Sequence, residues 1–460
     1  MATRKVLKIT PVLVALNILV LLIIVVFYTA RLIKYYKIEN GHKKEDTTIL
    51  VDEIKKHQSM LDETKGLVLD DKTGIYTYKG EVNDNYLFYS GMMYRIVSVD
   101  KNENIKLVSE DNVTLIYPGF NNGYEKSYVT KWLNSSDEKN SGIYENNLMN
   151  AGGILENSQY CEDAIDDLSK IECNNSTDKY KITLLSLYDY KMAGGKTSYL
   201  NNNTLFNLGS LNSMNANYYV TEDGEISLNQ RSSRAISIRP VITINSGTEL
   251  ISGTGKKSDP YIIEKHDVDT LGDTYVNSIV KIDNNTYKVV ELGEDKVKLA
   301  GTDVLKDGES NLLIAFSNKI SAYQDNTIVG KYLNGTFLDS LSVKDSVVSS
   351  DWYNGTLTLA DLDYSSIRNS KSTAKVGMLT IGDMYVNEVS NVFTTLRGME
   401  ASNIINVINE SGNLYADQIS SKYNVRAAFY LKSDLKIKSG SGTMDSPYEL
   451  GVNDEKEKEE

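Results

Sequence analysis

Ser252-Gly253-Thr254-Gly255, followed by Asp259-Pro260-Tyr261, is written a second time 187 residues later as Ser439-Gly440-Ser441-Gly442 and Ser446-Pro447-Tyr448. The same offset lays Ile238-Arg239-Pro240 over Val425-Arg426-Ala427. Working outward, Leu184-Leu185-Ser186-Leu187 matches Met378-Leu379-Thr380-Ile381, with Asp189 over Asp383, at offset 194. Lys131-Trp132-Leu133-Asn134 matches Lys331-Tyr332-Leu333-Asn334 at offset 200, Ile105-Lys106-Leu107 matches Val297-Lys298-Leu299 at 192, and Tyr94-Arg95-Ile96-Val97 matches Tyr287-Lys288-Val289-Val290 at 193. Chance matches do not stay collinear, so the sequence reads as a tandem duplication, with two copies rather than a solenoid.

Within each copy strands prevail. Tyr94 to Asp100 and Ile105 to Ser109 alternate apolar and polar residues around Lys101-Asn102-Glu103-Asn104, which reads as a hairpin. Tyr287 to Leu292 and Val297 to Ala300 repeat it around Gly293-Glu294-Asp295. A second hairpin, Tyr218 to Leu228, turns at Asp223-Gly224, and its counterpart runs from Ile405 to Leu414 around Ser411-Gly412. Ser127 to Leu133 and Leu187 to Ala193 read as helices, and Ile236 to Ile244 as one strand whose Pro240 places it at an edge or strand end. The expected fold class is α+β: an N-terminal transmembrane helix followed by two homologous, strand-dominated α+β domains.

These blocks carry a resemblance. Tyr76-Thr77-Tyr78-Lys79-Gly80, Tyr86 to Gly91 and Tyr94-Arg95-Ile96-Val97 resemble the opening of an uncharacterised domain family common in envelope proteins of AT-rich Gram-positive bacteria. The continuation through Trp132, Leu184 to Leu187, Arg239-Pro240 and the glycine turn before Tyr261 is similar to that family, over residues 66–264 and, with more departures, 268–450. The final third also resembles the formylglycine-generating-enzyme branch of C-type-lectin-like folds. That branch needs a cysteine pair near the C-terminus. Cys161 and Cys173 lie mid-domain, so the resemblance implies a scaffold and not that activity.

The N-terminus holds 22 consecutive uncharged residues, Ile9 to Ala30, between Lys8 and Arg31. A helix of that length spans roughly 33 Å, enough for a hydrocarbon core of about 30 Å. The cleavage-site motif of a signal peptide is poor at Phe27 to Arg31, so an uncleaved anchor is expected. Residues 1–8 then form a cytoplasmic N-terminus, 9–30 the membrane helix and 31–65 a charged stalk with a short amphipathic helix at Ile49, Ile54 and Leu61. Repeats at 66–264 and 268–450 follow, joined by a linker at 265–267, before an acidic disordered tail at 451–460. Lysines and arginines flank both sides of the span. Orientation therefore rests on the cysteine pair, which suits an oxidising exterior, and on the ease with which long C-terminal domains translocate.

Composition narrows the chemistry. A net charge of −13 argues against nucleic-acid binding, which needs a basic face. His42, His57 and His266 all fall outside the two copies, which removes Ser-His-Asp catalysis and histidine-ligated zinc from both. No metal or cofactor is expected. Cys161 and Cys173 are read as a disulfide closing a surface loop, with a reactive or reduced thiol pair as the alternatives. Glu162, Asp163, Asp166 and Asp167, or Asp361 and Asp363, are candidate acid–base pairs for glycoside cleavage, although acidic clusters are usually solvated surface. Arg231 and Arg234, with Arg239, form a local basic group suited to an anionic wall polymer. Arg239, recurring as Arg426, suits a structural salt bridge. Of 31 tyrosines, Tyr218 and Tyr219 are candidate ligand contacts, while most are expected to replace phenylalanine in half-buried strands.

The sequence thus points to a single-pass envelope protein with both repeats outside the cell. Its expected role is non-catalytic: binding, adhesion or scaffolding, with a cell-wall polymer, glycan or surface protein as partner. A carboxylate-dependent wall- or polysaccharide-active enzyme, or an envelope sensor or assembly factor, is the alternative.

Overall fold

The computed structural model describes residues 48–60, 62–116, 118–120, 123–136, 141–230, 236–356, 368–379, 383, 392–397, 404–408 and 414–451. The expected membrane helix at 9–30 and the acidic tail from 452 onward lie outside these residues. No helix among the described residues is long and apolar enough to cross a membrane.

The fold is mixed α+β with strands dominant. Two hydrophobic cores form, one from residues between Leu50 and Val276 and one from residues between Leu271 and Leu450. Among the described residues, a nine-stranded sheet in the first repeat runs Ile182–Leu184, Pro240–Ile244, Ile105–Ser109, Met92–Val99, Ile75–Lys79 and Gly66–Asp70, with three short strands off this path. A five-stranded sheet runs Ile226–Asn229, Asn217–Val220, Phe206–Leu211, Ile236–Ile238 and Thr114–Ile116. An eight-stranded sheet in the second repeat is built around Asn285–Leu292, Lys296–Gly301 and Ala427–Lys432, and Val392–Arg397, Ile404–Ile408 and Leu414–Gln418 form a three-stranded sheet.

Both expected hairpins of the first repeat are present. Met92–Val99 pairs with Ile105–Ser109, and Asn217–Val220 pairs with Ile226–Asn229 in register Tyr218 to Leu228. Their counterparts pair as Asn285–Leu292 with Lys296–Gly301 and Ile404–Ile408 with Leu414–Gln418. The two helices are Tyr128–Leu133 and Leu187–Met192, each started by a serine whose hydroxyl accepts a backbone N–H: Ser127 from Thr130 and Ser186 from Asp189. The run from Ile236 to Ile244 differs from expectation. It breaks at Arg239 into Ile236–Ile238 and Pro240–Ile244, which belong to different sheets. Pro240 opens its strand, where its missing N–H removes no ladder bond from the strand interior.

The helix expected in the charged stretch after the apolar span is Leu50–Lys55, but it is not a solvated stalk element. Leu50, Val51 and Ile54 share one face and are at most 1 % exposed, packed into the first core. Their apolar area outweighs the charge of the surrounding sequence. The first folded unit therefore begins near residue 49, well before 66.

The two repeats also meet directly. The Leu292 N–H donates to Asn147 Oδ1 at 3.1 Å and the Thr114 hydroxyl to the Asp383 carbonyl at 2.7 Å. Phe88 stands edge-on to Tyr275. A Cβ on Gly91 would come within 2.2 Å of the Tyr275 Cβ, so the turn into Met92–Val99 needs a glycine to admit the second repeat.

The repeated glycine turn has a shared physical cause. Gly253 and Gly440 take φ of +96° and +98°, and a Cβ on either would lie 1.9 or 2.1 Å from the carbonyl of Pro260 or Pro447. Gly255 and Gly442 lie under the rings of Tyr261 and Tyr448. Gly253→Ala is expected to lower stability by about 3 kcal/mol in a denaturant titration. Gly123→Ala, also at positive φ but in open space, is expected to cost about 1 kcal/mol.

Candidate functional site

The described surface carries a polar cleft of about 440 Å³ on the first repeat. It is lined by Glu125, Thr130, Lys131, Asn134, Ser135, Ser136, Glu145, Asn157, Lys179, Tyr180 and Lys181. That volume falls within the roughly 300–1,000 Å³ of small-ligand sites. One wall is the end of helix Tyr128–Leu133 and the residues after it; the other is strand Ser176–Tyr180 with Lys181.

Asn134 joins the two walls. Its Oδ1 accepts the Ile182 N–H at 2.9 Å, and its Nδ2 donates to the Ile182 carbonyl at 2.9 Å and the Thr130 carbonyl at 3.1 Å. Asn334 does the same in the second repeat, accepting from the Val376 N–H at 2.9 Å and donating to the Val376 and Gly330 carbonyls at 3.0 Å each. The repeated Lys-x-Leu-Asn block is thus a helix-to-strand clamp. Beneath it lie buried Tyr124, whose hydroxyl accepts the Leu184 N–H at 3.1 Å, and Tyr323, whose hydroxyl donates to the Val376 carbonyl.

The charges in the cleft are largely committed to one another. Lys181 pairs with Glu145 at 3.3 Å, and Glu145 Oε2 also accepts the Ser135 N–H at 2.7 Å. Lys179 pairs with Glu162 at 3.3 Å. Glu125 and Asn157 are exposed at the mouth, and Tyr180 is half-buried, edge-on to Tyr124. Burial pushes the Tyr180 hydroxyl up to about 12, with the charges of Glu125 and Glu162 adding to the shift, so it stays protonated as a donor.

Cys161 and Cys173 form a disulfide, with Cα atoms 5.7 Å apart. It closes the loop that joins strand Ser158–Cys161 to Ser176–Tyr180 beside the cleft. Asp163 lies close to both sulfurs, but their covalent bond leaves no thiolate to ligate a metal. The acidic residues of this loop serve its geometry. Asp163 accepts the N–H groups of Asn174 and Asn175, which hold its carboxyl below the usual range. Asp166 accepts from Ser213, and Asp167 accepts the Ser169 hydroxyl and N–H, which hold it low as well. Asp361 and Asp363 lie outside the described residues, as do Arg231 and Arg234.

Tyr218 is buried and donates to the Ile165 carbonyl at 2.6 Å, so it fastens the loop; Tyr219 beside it is half-buried. Three further core tyrosines act alike, Tyr190 bonding the Gly224 carbonyl at 2.8 Å, Tyr160 that of Gly209 at 3.0 Å and Tyr199 that of Ile96 at 3.1 Å. Tyrosine suits these positions because each ring fills the core while its hydroxyl bonds a backbone carbonyl of a strand or turn. Among the described residues Arg239 bonds no carboxylate. Its Nε donates to the Ser109 carbonyl at 2.8 Å and its Nη1 to the Leu200 carbonyl at 2.6 Å, which replaces the salt bridge expected from its recurrence.

His57 is not outside the first repeat. Its Nδ1 lies 3.1 Å from Asp84 Oδ2 and its Nε2 3.3 Å from the Tyr261 hydroxyl, because the buried helix before it carries the histidine onto the fold. A phenol occupies the position where a Ser-His-Asp triad would need its nucleophile. His266 packs on Tyr275 with ring centroids 4.8 Å apart.

No family model matches the chain, and no curated protein or solved structure is similar to it.

The cleft itself was not legible in the sequence; its signal was the recurrence of Asn134 as Asn334. Asn134→Ala removes three hydrogen bonds and strands the backbone of Ile182. It is expected to cost about 2–3 kcal/mol in thermal or chemical denaturation.

Proposed function

We propose that this chain is a membrane-anchored, extracytoplasmic binding, adhesion or scaffold protein of the bacterial cell envelope, without catalytic activity. Residues 9–30 are its anchor, and the two repeats are homologous domains, similar in plan to C-type-lectin-like scaffolds. The observation that carries the reading is the cleft of about 440 Å³ beside the disulfide. Its exposed groups include the carboxylate of Glu125, the amide of Asn157 and the ammonium of Lys179, next to the half-buried ring of Tyr180. Such a lining suits a polar, uncharged or zwitterionic ligand such as a glycan or a wall-polymer segment better than a polyanion.

Acid–base catalysis is the second reading, with Glu125 and Glu145 as the pair. It is less well supported. A general acid must be held neutral near its working pH, whereas Glu145 is engaged by a lysine and a backbone N–H. The aspartates with displaced pKa values, Asp163 and Asp167 among them, are held low.

Two experiments test the proposal. In wall pull-down and glycan-array binding with the full chain in detergent, Tyr180→Ala combined with Glu125→Ala should weaken binding about tenfold or more. Binding that is absent for the native protein, or hydrolysis of the captured glycan, would overturn it. Location is read separately on intact cells. An impermeant maleimide should label Cys161 and Cys173 only after reduction; labelling that requires lysis places the repeats on the inner side.

A further inference from the structure

The duplication places one lysine–aspartate ion pair in each repeat, half-buried in the first and more deeply enclosed in the second. In the first, Lys106 Nζ lies 3.2 and 3.3 Å from the carboxylate oxygens of Asp189. In the second, Lys298 Nζ is in direct contact with Asp383 Oδ1, and the two side chains are only 7 % and 11 % exposed. Asp189 is also occupied as a helix cap, accepting the Ser186 hydroxyl at 2.7 Å.

The neighbours in the sheet differ more sharply. Opposite Lys106 stand Ser98 on one side and Thr243 on the other. Opposite Lys298 stand Glu291 and Tyr430. Residues directly opposite in adjacent strands present their side chains on the same face. Glu291, Lys298 and Tyr430 therefore form one row, and the Tyr430 hydroxyl donates to Glu291 Oε2 at 3.1 Å. The Lys298 ammonium also lies 5.4 Å from the centre of the Trp352 ring and 5.8 Å from that of Tyr430. An amine and a carboxyl in contact with it thus lie beside the Trp352 and Tyr430 rings, and the Glu291 carboxyl stands on the neighbouring strand, held by the Tyr430 hydroxyl.

We propose that Lys298 and Asp383 join covalently in the mature protein through an isopeptide bond formed with Glu291 as proton carrier. Within the pair, the ammonium passes one proton to Asp383, giving a neutral amine and a neutral carboxylic acid. The amine lone pair attacks Asp383 Cγ, and the N–C bond forms. Glu291 takes a proton from the nitrogen and returns it to the departing hydroxyl. The C–O bond breaks and one water leaves. Charge balances, since Glu291 ends as the carboxylate it began as, and no oxidant or external reactant is needed. Loss of water into solvent and removal of two buried charges favour the product.

The bond gives the second repeat a covalent tie of its own, as the disulfide gives the first. It also fixes the residue whose carbonyl accepts the Thr114 hydroxyl from the first repeat.

The first repeat is an internal control. It keeps the lysine and aspartate but has Ser98 in place of Glu291, so it is expected to remain unlinked. Intact-mass spectrometry of the purified full chain should give a mass below that of the disulfide-bonded sequence by one water. Peptide mapping should find a branched peptide joining Lys298 and Asp383, with none at Lys106 and Asp189. Glu291→Gln should restore the missing water while the disulfide and the thermal unfolding profile show the chain still folded. A native chain with the full disulfide-bonded mass overturns the proposal. Loss of two waters, or an undiminished link in Glu291→Gln, overturns the role given to Glu291.

Discussion

The fold of the first repeat depends on one buried cation. The closing run must leave the five-stranded sheet at Ile238 and enter the nine-stranded sheet at Pro240, and Arg239 is the residue between. It is fully buried, with its guanidinium over the Phe206 ring of one sheet and its Nε on the Ser109 carbonyl at the end of a strand of the other. Burial pushes its pKa down to about 10, opposed by the charge of nearby Glu110. It therefore remains a cation at neutral pH. A guanidinium can bond two carbonyls in fixed directions while stacking on a ring, which an ammonium cannot do. That makes the sheet switch possible while satisfying the buried carbonyls of Ser109, at a strand end, and of Leu200, in a turn. Arg426 occupies the matching place before Ala427–Lys432, and it too is buried.

What the two repeats hold in common is a set of contacts more than a set of residues. The asparagine clamp, the lysine–aspartate pair and the glycine turn under a tyrosine recur at equivalent places. Around them the packing has diverged. Tyr160 stacks on Tyr124 in the first repeat. Trp352, in the matching hairpin of the second, packs instead toward Tyr430 and closes over Gly377, where a Cβ would come within 2.3 Å of its ring. The hairpin loops diverge with the packing, since the first carries the disulfide and the second has no cysteine.

Much of this was legible because local and tertiary demands agree. Alternation and turn residues identified the hairpins, and the two helices lie where the sequence places them, with Ser127 and Ser186 capping them in the structure. The misses have physical reasons. The helix Leu50–Lys55 lies in a charged stretch, and its three apolar residues reveal their burial only against a core built by distant strands. That same packing placed His57 against Asp84 and Tyr261, which no spacing in the sequence announces. The break at Arg239 was hidden because residues on both sides are β-formers, and the signal lay in a charged residue inside an apolar run. The cleft was illegible because its walls are far apart in sequence and are joined by the side chain of one asparagine.

The scarcity of histidine and cysteine leaves few ways to do chemistry here, and the fold uses its remaining polar groups to hold loops. Tyrosine hydroxyls bond backbone carbonyls, aspartates hold turns and Arg239 bonds the end of a strand. A buried polar group without a partner is costly, so a fold that meets its loop carbonyls in this way gains a single well-defined arrangement. Under the binding role proposed above, side chains held so firmly would serve to present a fixed surface and not to exchange protons in turnover. The Lys298 pair is consistent with that distinction. Chemistry there would occur once, consume its own reactants and leave behind a stiffer scaffold.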